Sequence, residues 1–281
     1  MIHQKNIVIK GEHNKPILID VCAPKKGTSM PVIIFCHGYK GFKDWGAWNI
    51  MASEFANAGY CFVKFNFSYN GGTIEQPIDF PDLEAFGNNN FSIELDDLNA
   101  VINWVCSDIK LSDIADINNI TLFGHSRGGG IVITKAEEDS RIKNVISLAG
   151  ISSFKARFHE GTEEFASWKK TGVKYVKNGR TKQQMPHYFQ FYLDFIKNEE
   201  RLTIERAAKN LKIPHLIIHG NQDTSIFKCE AEALHLWNPK SKLKIIEGAN
   251  HVFQTSHPWK EDALSKELQV AVNSIIEFIK N

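Results

Sequence analysis

Apolar residues recur along this chain in two rhythms. The run 32–36 is too continuous for a strand with one wet face and predicts one buried on both faces of a parallel sheet. Further strands are read at 60–67, 120–123, 144–148 and 215–219. Between them lie stretches with helical spacing. Residues 92–106 carry Ile93, Leu95, Leu98, Val101, Ile102 and Val105, and 46–58, 228–237, the stretch after Ser126 and a segment within 261–279 also read as helices. Near the N-terminus, 6–10 and 16–23 are split by the turn-prone Gly11-Glu12-His13-Asn14 and predict an antiparallel hairpin. Residues 24–29 read as a loop, and 242–246 supplies an eighth strand. The alternation predicts an α/β fold with a mostly parallel eight-stranded sheet flanked by helices.

One stretch breaks the rhythm. Between the strand ending near Gly150 and the one starting at His215, about 60 residues stand where a single crossover helix would suffice. Residues 154–174 mix aromatic and charged side chains, and 175–181 contain the pair Asn178-Gly179, a strong hairpin signal. Residues 186–201 read as a helix rich in aromatics (Tyr188, Phe189, Phe191, Tyr192, Phe195). So many rings need an apolar partner. That favours a cap with a hairpin and helices, inserted at 151–201 after the sixth strand, over a surface decoration. The core is then 1–150 and 202–281. No internal repeat or low-complexity tract interrupts it.

Composition changes this picture little, but it excludes some partners. With 43% apolar and 23% charged residues, the 281-residue chain has ordinary globular composition. A formal charge of +1 gives no electrostatic case for nucleic acid or an anionic membrane, and the basic stretch 169–182 is too short and mixed to alter that. The five cysteines (Cys22, Cys36, Cys61, Cys106, Cys229) show no metal-ligand spacing, and three lie in apolar runs, so free thiols in the core are expected. The first residues lack the charge, apolar stretch and cleavage site of a signal peptide, and no apolar run approaches the ~18 residues of a membrane span. Cytoplasmic localisation is the expectation.

Candidate chemistry starts at Gly124-His125-Ser126-Arg127-Gly128-Gly129, directly after the run 120–123. A Gly-x-Ser-x-Gly pentad between a buried strand and a helix makes a tight corner that pushes the serine hydroxyl out over the sheet edge. A Cβ at Gly124 or Gly128 would clash where strand and helix nearly touch. A serine hydroxyl also needs a base, and the base needs an acid to fix its tautomer. In a parallel sheet these gather at the carboxyl ends of strands. Asp223 follows the strand 215–219 within Gly220-Asn221-Gln222-Asp223, and His251 follows 242–246 within Gly248-Ala249-Asn250-His251. Competing acids are poorly placed, since Asp194, Asp96 and Asp97 lie on predicted helices. Among the histidines, His125 reads as packing, His37 and His219 as strand-end residues satisfying loop backbone, and His257, before Pro258, as part of the entry to the last helix. For the oxyanion hole, Arg127 and Tyr39, in the loop His37-Gly38-Tyr39-Lys40-Gly41, are the two expected backbone N–H donors. Tyr39's ring is expected in the pocket wall.

With these residues in place the chain resembles the α/β-hydrolase superfamily, whose order of nucleophile, acid and base is Ser, Asp, His. Within it the chain is most similar to the bacterial cinnamoyl/feruloyl esterase-like branch. His37-Gly38-Tyr39 matches that branch's His-Gly-Phe, and Phe65-Asn66-Phe67-Ser68-Tyr69-Asn70-Gly71-Gly72 stands at its Phe-Asn-Gly-His-Gly loop. Ile93-Glu94-Leu95-Asp96-Asp97-Leu98 matches its acidic helix, and 172–186 its hairpin-bearing cap. The resemblance implies triad roles for Ser126, Asp223 and His251, and oxyanion roles for Tyr39 and Arg127. Two features depart from the branch: Arg127 stands where Gln is common, and 73–90 is longer than usual.

The expected activity is a serine hydrolase cleaving carboxylic esters through an acyl-enzyme, without cofactor or metal. The cap composition points to aryl or medium acyl esters of hydroxycinnamate type. An acyl-peptidase or aminopeptidase acting on amides is the alternative, and a non-catalytic binding member of the fold a further one. A dehalogenase is excluded because the elbow carries Ser rather than Asp. The expected partner is a small-molecule ester, with no nucleic acid and no membrane, and with room for a homodimer.

Overall fold

Each continuous apolar run becomes a strand. In the computed structural model, which describes residues 1–25 and 29–280, the strands in chain order are β1 (Ile2–Lys10), β2 (Pro16–Ala23), β3 (Met30–Cys36), β4 (Cys61–Asn66), β5 (Ala115–His125) and β6 (Ile142–Leu148), followed by β7 (Val173–Lys177), β8 (Gln184–Tyr188), β9 (His215–Gly220) and β10 (Lys242–Ile246). The helices are α1 (Trp48–Asn57), α2 (Leu83–Asn88), α3 (Phe91–Ser107), α4 (Ile109–Ser112), α5 (Arg127–Glu138), α6 (Glu163–Thr171), α7 (Gln190–Lys197), α8 (Ile204–Asn210), α9 (Lys228–Trp237) and α10 (Lys266–Lys280). The loop expected at 24–29 lies partly outside the described residues.

Eight strands form one sheet in the order β1-β2-β4-β3-β5-β6-β9-β10. Only β2 runs against the rest, antiparallel to both its neighbours β1 and β4, while every other pair in the sheet is parallel. Alternate residues of β3 enter opposite cores, with Val32 and Ile34 on one face and Ile33 and Phe35 on the other, which explains a run with no polar beat. The second face is covered by α1 through Trp48, Met51 and Phe55, and by α10 through Leu268, Val272 and Ile275. The first is covered by α3, α5, α8 and α9. Helix α3 starts where the Asn90 side chain accepts the Ile93 N–H at 2.9 Å, an N-cap that fixes its first turn.

Residues 151–201 hold a 3-10 turn, α6, the two-stranded sheet β7–β8 and α7. Their rings do not form a core of their own. Phe154 and Phe191 stack on Phe91 of α3 at 4.0 and 4.7 Å between centroids, and Phe158, Trp168 and Phe195 join the same cluster as the sheet face. Three details correct or refine the sequence reading. Residues 186–188 are strand rather than helix, paired with 173–175, so the helix starts at Gln190. The hairpin that Asn178-Gly179 signals does form between β7 and β8, but with a longer turn, since the strands are joined by six residues, 178–183. The Asn178 side chain accepts the backbone N–H groups of Arg180 and Thr181, and its carbonyl closes the turn with Lys182. The cysteines are free, but only Cys22, Cys36 and Cys61 are buried; Cys106 is half-buried, and Cys229 is exposed on α9.

The long loop before α3 has a structural partner. Phe80 and Phe86 pack with Phe42 and Met185, and Gln183 donates to the Phe80 carbonyl at 2.9 Å. Arg180 pairs with Asp79. The loop clasps the β7–β8 hairpin. Among the described residues, no helix is long and apolar enough to cross a membrane.

Candidate active site

Ser126 sits between β5 and α5 with φ 56° and ψ −119°, a backbone region closed to most side-chain-bearing residues. The strain is held by close packing: a Cβ on Gly124 would overlap the Gly128 carbonyl, and one on Gly128 the Cys36 carbonyl. The elbow thus forms as its sequence pattern predicts.

Asp223 and His251 arrive from the ends of β9 and β10. His251 Nδ1 lies 2.8 Å from Asp223 Oδ2, and His251 Nε2 lies 3.0 Å from Ser126 Oγ. A carboxylate can only accept, so Nδ1–H donates to Asp223 and Nε2 is left to receive the serine proton. The Asp223 carboxylate is fully buried. Its Oδ1 accepts the backbone N–H groups of Ser225 and Ile226 at 2.8 and 2.9 Å. Burial by itself would raise its pKa, but hydrogen bonds from His219, His251 and Ile226 outweigh that and hold it well below the usual carboxylate range.

The other histidines hold backbone. His125 Nε2–H donates to the His251 carbonyl at 2.9 Å, and burial pushes its pKa down to about 3. His37 Nδ1–H donates to the Gly38 carbonyl at 2.9 Å. His219 Nε2–H donates to the Ile226 carbonyl at 2.8 Å while lying 3.3 Å from Asp223, so it braces the acid's loop. His257 differs from its sequence reading. It lies well before α10, accepts the Gly46 N–H at 2.9 Å and packs on Phe42 and Trp45. Asp194, Asp96 and Asp97 pair with Ser92, His13 and Ser68. A second Ser–His pair, Ser147 and His215 at 3.1 Å, lies buried between β6 and β9. Its imidazole is held near a pKa of about 3 by burial, and among the described residues no carboxylate touches it. It is an interior hydrogen bond.

Arg127 is the first residue of α5, so its N–H has no acceptor within the helix and faces the elbow. The loop carrying Tyr39 comes very close to the serine: a Cβ on Gly38 would lie 2.8 Å from Ser126 Cβ and 3.2 Å from the His125 carbonyl. Gly38→Ala should therefore push this loop away from the serine. We expect kcat for an ester to fall about 10²- to 10³-fold, as when one oxyanion donor is lost, with KM little changed. Unaltered kcat would place the oxyanion donors outside this loop.

Two cavities meet at the serine. The larger, about 540 Å³, is lined by Tyr39, Arg127, Phe158, Trp168 and Phe191. The smaller, about 180 Å³, lies against Trp45, Trp48 and His125. Sequence reasoning missed several groups here. The Arg127 guanidinium reaches Glu94 at 3.2 Å and stacks over Tyr39 at 4.5 Å. His187, on β8, meets the Tyr39 hydroxyl at 2.7 Å, and burial pushes that phenol up to about 12. Nothing in local spacing pairs residues 39 and 187. Only the alternation within 184–188 could have turned His187 inward.

The alpha/beta hydrolase fold family profile matches residues 31–178, a stretch that contains the serine elbow. The chain belongs to this family. It is similar to an uncharacterised 31.7 kDa protein of Escherichia coli, 30% identical over 44% of this chain and 38% of that one. The quorum-quenching protein AidA of Acinetobacter baumannii is 29% identical over 44% of this chain and 36% of its own. These matches thus span little more than a third of the relatives' lengths. Over nearly all of both chains, 98% of each, the fold superposes on Est1E of Butyrivibrio proteoclasticus, solved with ferulic acid bound, at a TM-score of 0.75 and 19% identity.

Proposed function

We propose that the protein is a serine hydrolase of carboxylic esters, with Ser126 as nucleophile, His251 as general base and acid, and Asp223 orienting it. The observation that carries this reading is the unbroken hydrogen-bonded line Ser126–His251–Asp223 opening onto an aromatic-lined cavity. Ser126 Oγ attacks the ester carbonyl carbon while its proton passes to His251 Nε2. The carbonyl oxygen takes the negative charge, facing the Tyr39 and Arg127 N–H groups. As the tetrahedral carbon collapses, the bond to the alkoxide breaks, and His251 returns its proton to the departing oxygen. Water then attacks the acyl-enzyme, giving one proton to His251. That proton goes back to Ser126 as the acid is released.

Residues 151–201 act as a cap in this reading, and the rings they place around the larger cavity suit an aryl or medium acyl group of hydroxycinnamate type. The test is a panel of 4-nitrophenyl acyl esters and alkyl hydroxycinnamates, with Ser126→Ala as the blank. Aryl or medium acyl esters should lead. Acetyl esters beating every aryl ester by a wide margin would overturn the substrate class. A matched anilide turned over faster than its ester would move the protein to amide chemistry. A fluorophosphonate probe should label Ser126 in the folded protein, and absence of labelling would make it a binding member of the fold.

A further inference from the structure

The cleft is lined by four cations, and three of them are already matched. Arg127 faces Glu94 at 3.2 Å, Arg157 pairs with Glu230, and Lys174 lies 3.6 Å from Glu164. Lys40 differs. Among the described residues no carboxylate pairs with it, and its ammonium instead lies 5.0 Å from the Tyr39 ring centroid. Arg127 is stacked on the same ring, so two positive charges lie against one aromatic side chain of the cleft, and of the two only Arg127 has a carboxylate partner, Glu94.

Position adds to charge. Lys40 follows Tyr39 in the loop next to Ser126, and it is one of four residues, with Tyr39, Ser126 and His251, that line both cavities. Its backbone has φ 54°, left-handed, a conformation that a residue with a side chain adopts only at a cost. The cost is borne at the junction through which any substrate must lie.

We propose that Lys40 is a specificity residue, and that the preferred substrate is an ester whose acyl part carries a carboxylate, held by the Lys40 ammonium in the larger cavity. The inference rests on the ester-hydrolase reading above and adds the charge of the substrate. A half-buried ammonium without a counter-ion keeps electrostatic potential that a bound carboxylate neutralises. Burial and the Arg127 charge both lower the Lys40 pKa, the signature of a cation short of negative company. The aromatic lining supplies the apolar area for the carbon skeleton, so charge at the junction and rings around it select different parts of one molecule.

The test compares esters that differ only in this charge, replacing the carboxylate by an isopropyl group of like shape: monoethyl adipate against ethyl 6-methylheptanoate, and ethyl 4-carboxycinnamate against ethyl 4-isopropylcinnamate. At least one anionic ester should show kcat/KM about tenfold or more above its neutral partner. The ratio should shrink with added salt, collapse towards one in Lys40→Met and survive in part in Lys40→Arg. In Ser126→Ala, calorimetry should find the anionic ester bound more tightly than the neutral one, and Ser126→Ala/Lys40→Met should lose that difference. Neutral esters turned over as well as anionic ones would overturn the inference and leave the ester-hydrolase reading standing. A preference that Lys40→Met leaves intact would remove Lys40 from the role. No turnover of either pair, with Ser126 unlabelled by a fluorophosphonate, would take down the ester-hydrolase reading and this inference together.

Discussion

Asp223→Asn is expected to lower kcat/KM about 10⁴-fold while leaving the fold in place. The reason lies in which way the new amide must face. Asp223 Oδ1 accepts two backbone N–H groups, from Ser225 and Ile226. An asparagine keeps both bonds only by leaving its oxygen there, which turns its NH₂ towards His251. His251 Nδ1 then faces a donor and must become an acceptor, so its proton moves to Nε2. That proton points at Ser126 Oγ, and the base is lost although no atom has moved far. Ser126→Ala should cost more, about 10⁶-fold, because the nucleophile itself is gone. The variants also separate in their pH response. The folded-state pKa of Asp223 is depressed, so its contribution to stability is present above the ordinary carboxylate value of about 3.9 and is lost as pH falls below it. The melting-temperature gap between wild type and Asp223→Asn should therefore narrow on acidification. Activity of Asp223→Asn within tenfold of wild type would place the orienting acid elsewhere.

The arrangement that makes this argument possible was legible because Ser126 and Asp223 each follow a strand whose last residues are buried on both faces. Such strands have no polar beat, so their ends show in the sequence. His251 follows the edge strand β10, where exposed Lys242 and Lys244 alternate with Leu243 and Ile245, and parallel topology brings all three ends together. Helix α9 was readable for a related reason, since its single buried stripe, Ala231 and Leu234, falls at helical spacing. The cap was harder to read. Helix α6 has Thr162 at its N-cap, Glu163 and Glu164 in its first turn and a left-handed Gly172 at its end, yet it buries only Trp168. One buried ring leaves no periodicity to see. At 186–188 a run of aromatics continuing into α7 hid the strand, because the period changes from two to 3.6 within a few residues. What spacing could never show were the long-range charge pairs. Glu94 and Arg127 meet only because helices α3 and α5 pack together, and Asp20 and Lys64 only because β2 pairs with β4.

The last of these pairs sets the second large prediction. Asp20 on β2 lies directly opposite Lys64 on β4, with 2.7 Å between their charged atoms; from the loop that also carries Tyr39, Lys43 reaches Asp20 and Asp44 reaches Lys64. Asp20, Lys43 and Lys64 are each less than a twentieth exposed. Two carboxylates and two ammonium groups balance within the network. Burial raises the Asp44 carboxyl, but Lys64 and Lys43 more than reverse this and hold it well below the usual range. The network also bonds to backbone, with the Asn6 N–H donating to Asp20 at 2.8 Å, while the neighbouring Lys43 N–H donates to Asn66 at 2.6 Å. Removing one carboxylate strands a positive charge in the interior, which costs about 3–5 kcal/mol. Asp20→Asn should therefore lower the melting temperature by on the order of 10 °C. Replacing an opposite pair with apolar groups of similar size, Asp20→Leu with Lys43→Met, restores neutrality and should recover much of that loss. Because Lys43 anchors the loop of Tyr39, the double variant should still lose kcat on an ester although it is stable. A double variant as active as wild type would show that the loop holds its place beside Ser126 without the network, and an Asp20→Asn protein melting within 2 °C of wild type, roughly the effect of one surface substitution, would show that the quartet is not a buried charge balance.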